Sequence, residues 1–130
     1  LLAKLYSLLV PGGIVVGQTP DHGCLERRIF GNNWAQWHLP RHLVLFDKPT
    51  LRKFAEAAGF EVLALESSPS GAVIWGGSLL KWWAKLRRRP YLATKERLHP
   101  WLMLLFAPIA LIQSKLGSTS HMDFTLRKPG

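Results

Sequence analysis

The side chains best suited to chemistry crowd between Gln18 and Phe46. His22, His38 and His42 fall in this stretch. An unperturbed imidazole, with a pKa of ~6.5, takes or gives a proton near neutrality. His42 stands in a Pro40-Arg41-His42-Leu43 run just before a predicted helix, where it could act as a base or simply hold the loop. Arg41 could equally satisfy backbone carbonyls. The histidines lack tight ligand spacing and carboxylates are few nearby, so no metal site is expected. Trp34 and Trp37 could wall an apolar ligand pocket or, more commonly, anchor a long loop to a sheet. Arg27 and Arg28 could meet an anion or be a solvated pair. Cys24 has no evident activating partner and is given no nucleophilic role. As the chain's one cysteine it can form no internal disulfide.

A second concentration lies between Trp75 and Leu116. Lys81, Lys85, Arg87, Arg88, Arg89, Lys95 and Arg97 accompany Trp82, Trp83, Trp101 and an apolar run to Ile112. The whole chain carries a formal charge of +9 and a pI near 10.3, which favours an anionic partner. A tryptophan-rich apolar stretch bordered by basic residues is expected in a helix lying in a membrane interface. On this reading Trp82, Trp83, Arg87, Arg88, Arg89 and Trp101 face an anionic membrane surface. The competing reading is a helical lid over one face of a sheet, with its arginines solvated. Nucleic acid ranks third, because the aromatic residues sit beside leucine-rich stretches rather than on a polar platform. No apolar run reaches the ~20 residues of a simple spanning helix.

The elements that must position these groups follow from the pattern. Residues 1–9 read as a helix already in progress, without an N-cap signal or initiator methionine, so the chain is expected to begin inside a larger protein. Pro11-Gly12-Gly13 stops it. Gly13 to Gln18 is a short β-branched run, read as a strand buried on both faces. The polar turn from Gln18 to Asp21 follows, at the carboxyl end where α/β sheets bind ligands. Asp21 to Phe46 reads as irregular. Pro49 to Ala58 is an amphipathic helix, with Asp47 as N-cap and Gly59 as its stop. Glu61 to Ser67 is the next strand, and His121 to Arg127 alternates like a last one. Residues 79–86 have helical spacing. The Trp101 to Ile112 run is expected to break at Pro108.

Strand, helix, strand in this order argues for an α/β crossover. The details resemble class I S-adenosylmethionine-dependent methyltransferases. Leu9-Val10-Pro11-Gly12-Gly13-Ile14-Val15-Val16 is similar to the helix-turn-strand before and through that family's fifth strand. Pro40-Arg41-His42-Leu43, Phe46, Thr50-Leu51 and Ala58-Gly59-Phe60-Glu61-Val62 resemble the branch that contains the ubiquinone-biosynthesis O-methyltransferases.

The resemblance implies an α/β fold: the C-terminal half of a Rossmann-like methyltransferase sheet. Gly13 to Gln18 would be strand five, Glu61 to Ser67 strand six, and His121 to Arg127 an antiparallel strand seven between them. Residues 1–68 and 118–130 would form the sheet core, with 69–117 a helical lid or membrane-facing insertion before the last strand. The glycine-rich loop and acidic strand end that hold S-adenosylmethionine in the family have no counterpart here. The cofactor is therefore expected to bind mainly to another part of the protein, leaving this chain inactive alone. The resemblance further implies substrate contacts from Gln18, Thr19, His22, Trp34, His38 and Arg41, with His42 as base, to a small acceptor that could be lipid-linked. A cytoplasmic protein, peripheral to the inner face of a membrane, is the expected setting. The alternative is a membrane-associated or partner-docking module derived from the same fold.

Overall fold

A computed structural model describes residues 1–37, 42–90 and 99–130. Three strands make one sheet: β1 (Ile14–Pro20), β2 (Glu61–Ser67) and β3 (His121–Arg127). Their order is β1-β3-β2, and β3 is antiparallel to both neighbours. The first two strands are therefore parallel to each other, with the last slotted between them, as strands five, seven and six were expected to be. β1 pairs in unbroken register from Ile14 with Arg127 to Pro20 with His121. β2 shifts register between Val62 and Ala64, a bulge that bends an edge strand.

One face of the sheet is covered by α1 (Leu2–Leu8) and α3 (Lys48–Ala57). Leu126, Ala55 and Phe60 form the buried centre there, with Leu5, Tyr6, Val15 and Phe124 packed around them. Asp47 caps α3 as its position predicts: the Thr50 amide donates to its Oδ1 at 2.9 Å. The helix stops at Gly59, whose φ of 91° is a left-handed conformation that suits glycine. Phe60 then turns inward onto Tyr6, edge to face at 5.1 Å. The open carbonyls at the end of α1 are met by Lys128, whose Nζ donates to Tyr6 and Leu9 oxygens at 3.1 and 2.9 Å.

The expectation that β1 is buried on both faces is corrected. Its exposure alternates, and Ile14 (54%) and Val16 (73%) are open on one face. A continuous β-branched run cannot reveal which face is covered, because both faces carry the same residue types.

Within the stretch read as irregular, residues 21–37 are more ordered than their composition implies. They contain α2 (Leu25–Phe30) and two 3-10 turns, Gly31–Asn33 and Ala35–Trp37. Six residues are too few for a periodic signal, and α2 is held by tertiary contacts that bury Glu26.

The insertion folds as a hairpin of α4 (Ala72–Leu86) and α5 (His99–Lys115). Trp75 near the start of α4 donates to Gln113 near the end of α5 at 2.6 Å, and stacks on Phe106. The helices are therefore antiparallel. The expected break at Pro108 is absent, since α5 runs through it. The carbonyl that loses its donor belongs to Leu104, which is on the exposed side of the helix. The hairpin packs on α2, the 3-10 turns and the start of the insertion, at the end of the sheet where β1 and β2 finish.

Candidate functional site

The chain leaves β1 at Pro20 and is immediately tied down. Asp21 donates its amide to the Ser120 carbonyl at 2.9 Å and forms a parallel bridge with Phe46. The His22 amide donates to the Phe46 carbonyl at 2.8 Å. Asp21 Oδ1 accepts from the Gly23 amide at 2.8 Å. These bonds pull the segment around Phe46 back against the strand end, and Asp47 then starts α3 directly after it. Phe46 packs edge to face on Phe54 of that helix.

This arrangement opens a pocket of about 740 Å³, within the range of small-molecule sites. α1 contributes its first residues, β1 contributes Gln18 and Thr19, and α3 contributes Leu51 and Phe54. Phe124 of β3 and His42, with the segment from Leu43 to Phe46, complete the lining. The walls are mostly apolar, and the polar side chains are those of Gln18, Thr19 and His42. Gln18 is partly committed: its Nε2 donates to Asp123 Oδ1 at 2.7 Å and to Ser68 Oγ at 3.2 Å. Its amide oxygen is the atom left to accept from another partner.

Three of the residues read from the sequence thus meet at one pocket. Two others are placed elsewhere. Trp34 is wholly buried (0%) with Cys24 and Ile74, and its Nε1 donates to Ser120 Oγ at 3.0 Å. His22 lies edge-on to Trp34 and Trp37. Burial, helped by the nearby Arg27 charge, lowers its pKa. Neither residue lines the pocket. His38 and Arg41 lie outside the described residues.

The walls from Leu43, Val44 and Phe46 were not anticipated. The available signal was an apolar run, Leu43 to Phe46, in a stretch with no strand pattern. A buried polar knot behind Trp34 was also missed. Glu26 is fully buried, and the Ser120 amide donates to its Oε1 at 3.3 Å. Burial outweighs these hydrogen bonds and raises its pKa. Asp21 is raised by burial as well, against the Gly23 hydrogen bond. Cys24 caps α2 through Sγ, and its thiol is pushed up to about 11 by burial, which leaves it a poor nucleophile. Among the described residues no group of three or more His, Cys, Asp or Glu could hold a metal ion.

S-adenosylmethionine presents an ammonium, a carboxylate and a ribose diol. No carboxylate or guanidinium is among the described side chains lining the pocket. The pocket fits an apolar body with one or two polar atoms.

A parallel pair of strands with an antiparallel strand between them, and a ligand-sized pocket at their carboxyl end, defines the second half of a class I methyltransferase sheet. The model of the family described as "Methyltransferase domain" matches residues 1–65, half of the chain, and the chain belongs to that family. A comparison with curated proteins gives no match.

Among solved structures, the chain is similar to the mycolic acid cyclopropane synthase CmaA1, solved with SAH and CTAB. Identity is 20%, TM-score 0.47, with 98% of this chain and 50% of that chain covered. The [4+2]-cyclase SpnF gives 21% identity and TM-score 0.46 over 98% of this chain and 43% of that one. A candidate sarcosine dimethylglycine methyltransferase from Galdieria sulphuraria gives 14% identity and TM-score 0.45, covering 98% and 46%. The chain spans about half the length of each.

Proposed function

We propose that this chain forms the acceptor-side half of an S-adenosylmethionine-dependent methyltransferase. The acceptor is a small molecule with an apolar body, lipid-linked acceptors included. The observation that carries the reading is the pocket bounded by Gln18, Thr19 and His42 and walled by Leu51, Phe54 and Phe124. Apolar walls hold the acceptor's body, and a few polar groups orient its reactive atom. Gln18 and Thr19 direct the acceptor, and His42 takes the proton from its hydroxyl. A hydroxyl acceptor is the chemistry of the O-methyltransferase branch that the sequence resembles. The cofactor is held by residues outside this chain. The lack of a carboxylate among the described lining side chains supports that division, as does the chain's span of about half of its structural relatives.

Calorimetric titration with S-adenosylmethionine tests the division. Saturable heat is expected from the complete protein and none from these 130 residues. Saturable binding to the 130-residue chain alone would overturn it. In the complete enzyme, His42→Ala is expected to lower turnover ~10²–10⁴-fold. Unchanged turnover across pH removes His42 as the base.

A further inference from the structure

The α4–α5 hairpin leaves much of its apolar surface open. On α5, Trp101, Leu104, Leu105, Ile109 and Ile112 are all exposed, as is Leu116 just past its end, Leu104 and Leu105 by about two thirds (68% and 67%). Their spacing of three and four residues puts them in one stripe along the helix. The opposite side carries Ala110 and Gln113, which are buried against the rest of the protein. A 17-residue helix is ~25 Å long. No described helix is long and apolar enough to cross a membrane.

Charge is the second observation. Between Glu66 and Asp123 the sequence has one acidic residue, Glu96, and eight basic ones: Lys81, Lys85, Arg87, Arg88, Arg89, Lys95, Arg97 and Lys115. Lys85, Arg87, Arg88 and Arg89 are exposed at the end of α4. The helices are antiparallel, so that end lies toward Trp101 at the start of α5. Trp82 and Trp83 are half-exposed on the same turn of α4, with the Arg87 guanidinium 4.8 Å from the Trp83 ring centre. Arg88 has a φ of 52°. Glycine adopts that backbone at a helix end more readily, yet a charged residue stands there.

We infer that the α4–α5 hairpin docks the protein on an anionic lipid leaflet. α5 lies in the plane of the interface with its apolar stripe toward the acyl chains. The tryptophans sit at headgroup depth, and Lys85 to Arg89 contact lipid phosphates. Apolar burial and phosphate attraction then act together, which neither a neutral partner nor a soluble anion would use in full. This surface is distinct from the pocket and does not depend on the methyltransferase reading.

The test is flotation of the full chain with vesicles of phosphatidylcholine and phosphatidylglycerol at roughly 2:1. The protein is expected to float with these vesicles. Binding should weaken severalfold between roughly 0.1 M and roughly 0.5 M salt. The triple variant Arg87→Gln, Arg88→Gln, Arg89→Gln should bind roughly a hundredfold more weakly. Leu105→Glu with Ile109→Glu should abolish flotation. All five residues are at the surface, and unchanged far-ultraviolet circular dichroism checks that the fold persists. The inference is overturned if the wild-type chain stays in solution with these vesicles at low salt. It is also overturned if pure phosphatidylcholine vesicles bind equally, without salt dependence. A concentration-dependent dimer that Leu105→Glu dissociates, with vesicles ignored, would assign the stripe to a second copy instead.

Discussion

Gly17 shows how closely single residues shape the pocket. A Cβ built there would lie 2.4 Å from the tip of the Phe124 ring, its partner across the β1–β3 ladder. Phe124 also lines the pocket, so Gly17→Ala would push the ring toward the ligand space. Overpacking of this kind costs ~1–3 kcal/mol. A lower denaturation midpoint and weaker binding of apolar ligands are expected together. A stable Gly17→Ala variant with unchanged ligand affinity would show that the ring moves freely.

Glu26 makes a different kind of prediction. Burial raises its pKa in the folded chain above that of the unfolded chain. The folded state therefore holds its proton over a pH range where the unfolded state has lost it. Stability is greatest below the ordinary carboxylate range and falls as pH rises through it toward the raised value. Asp21 is raised in the same sense, so Glu26→Gln should remove part of this fall. Melting temperatures measured from acid to neutral pH should converge for the two proteins at low pH and separate above, the variant being the more stable. Parallel curves would contradict the assignment.

At the scale of elements, α3 is the helix whose local signals agree most fully with its tertiary role. Asp47 caps it, Pro49 opens it, and Leu51 and Ala55 bury its inner face. Hydrogen bonds from Thr50 lower the Asp47 pKa. That contribution is fully present above the ordinary Asp value and is lost as pH falls through the lowered one. Asp47→Ala should cost ~1 kcal/mol at neutral pH and progressively less in acid, read from denaturant midpoints at several pH values. Because α3 carries Leu51 and Phe54 into the pocket, its fraying would also loosen the site. α2 and α5 contrast with α3. The short helix depends on a buried carboxylate and a cysteine cap, and the long one tolerates Pro108 because its lost bond faces outward.

The molecule as a whole is organised around β3. One core lies under α1 and α3 at Leu126, and the other gathers Cys24, Trp34 and Ile74 beneath the hairpin. β3 ends in the first, and Ser120, the residue just before it, bonds into the second. The final segment therefore joins parts of the chain separated by about a hundred residues. Leu126→Ala, at a fully buried position, is expected to cost ~2–5 kcal/mol. Both α1–α3 packing and the hairpin should melt together in one lowered transition. Two separate transitions by tryptophan fluorescence and circular dichroism would show that the cores are independent.

Periodicity was enough to locate α3, β2 and β3, because a repeat of two or 3.6 survives wherever one face is buried, whereas α1 and β1 were read from apolar runs on either side of Pro11-Gly12-Gly13. The turn at Pro11-Gly12-Gly13 and the cap at Asp47 were legible for the same local reason: their residue types answer to backbone geometry within a few positions. The order β1-β3-β2 came from family resemblance, not from pattern, since pairing partners are a long-range choice. Tertiary structure alone decided that His42, Gln18 and Thr19 share a pocket while Trp34 turns into a core and His22 lies edge-on to it. The Asp21–Phe46 bridge brings two distant segments together, and one-dimensional spacing carries no trace of it. Likewise the exposure of Ile14 and Val16, and of the α5 stripe, depends on what else occupies the space around them. Apolar sequence states only that a surface avoids water; which neighbour covers it is settled by packing in three dimensions.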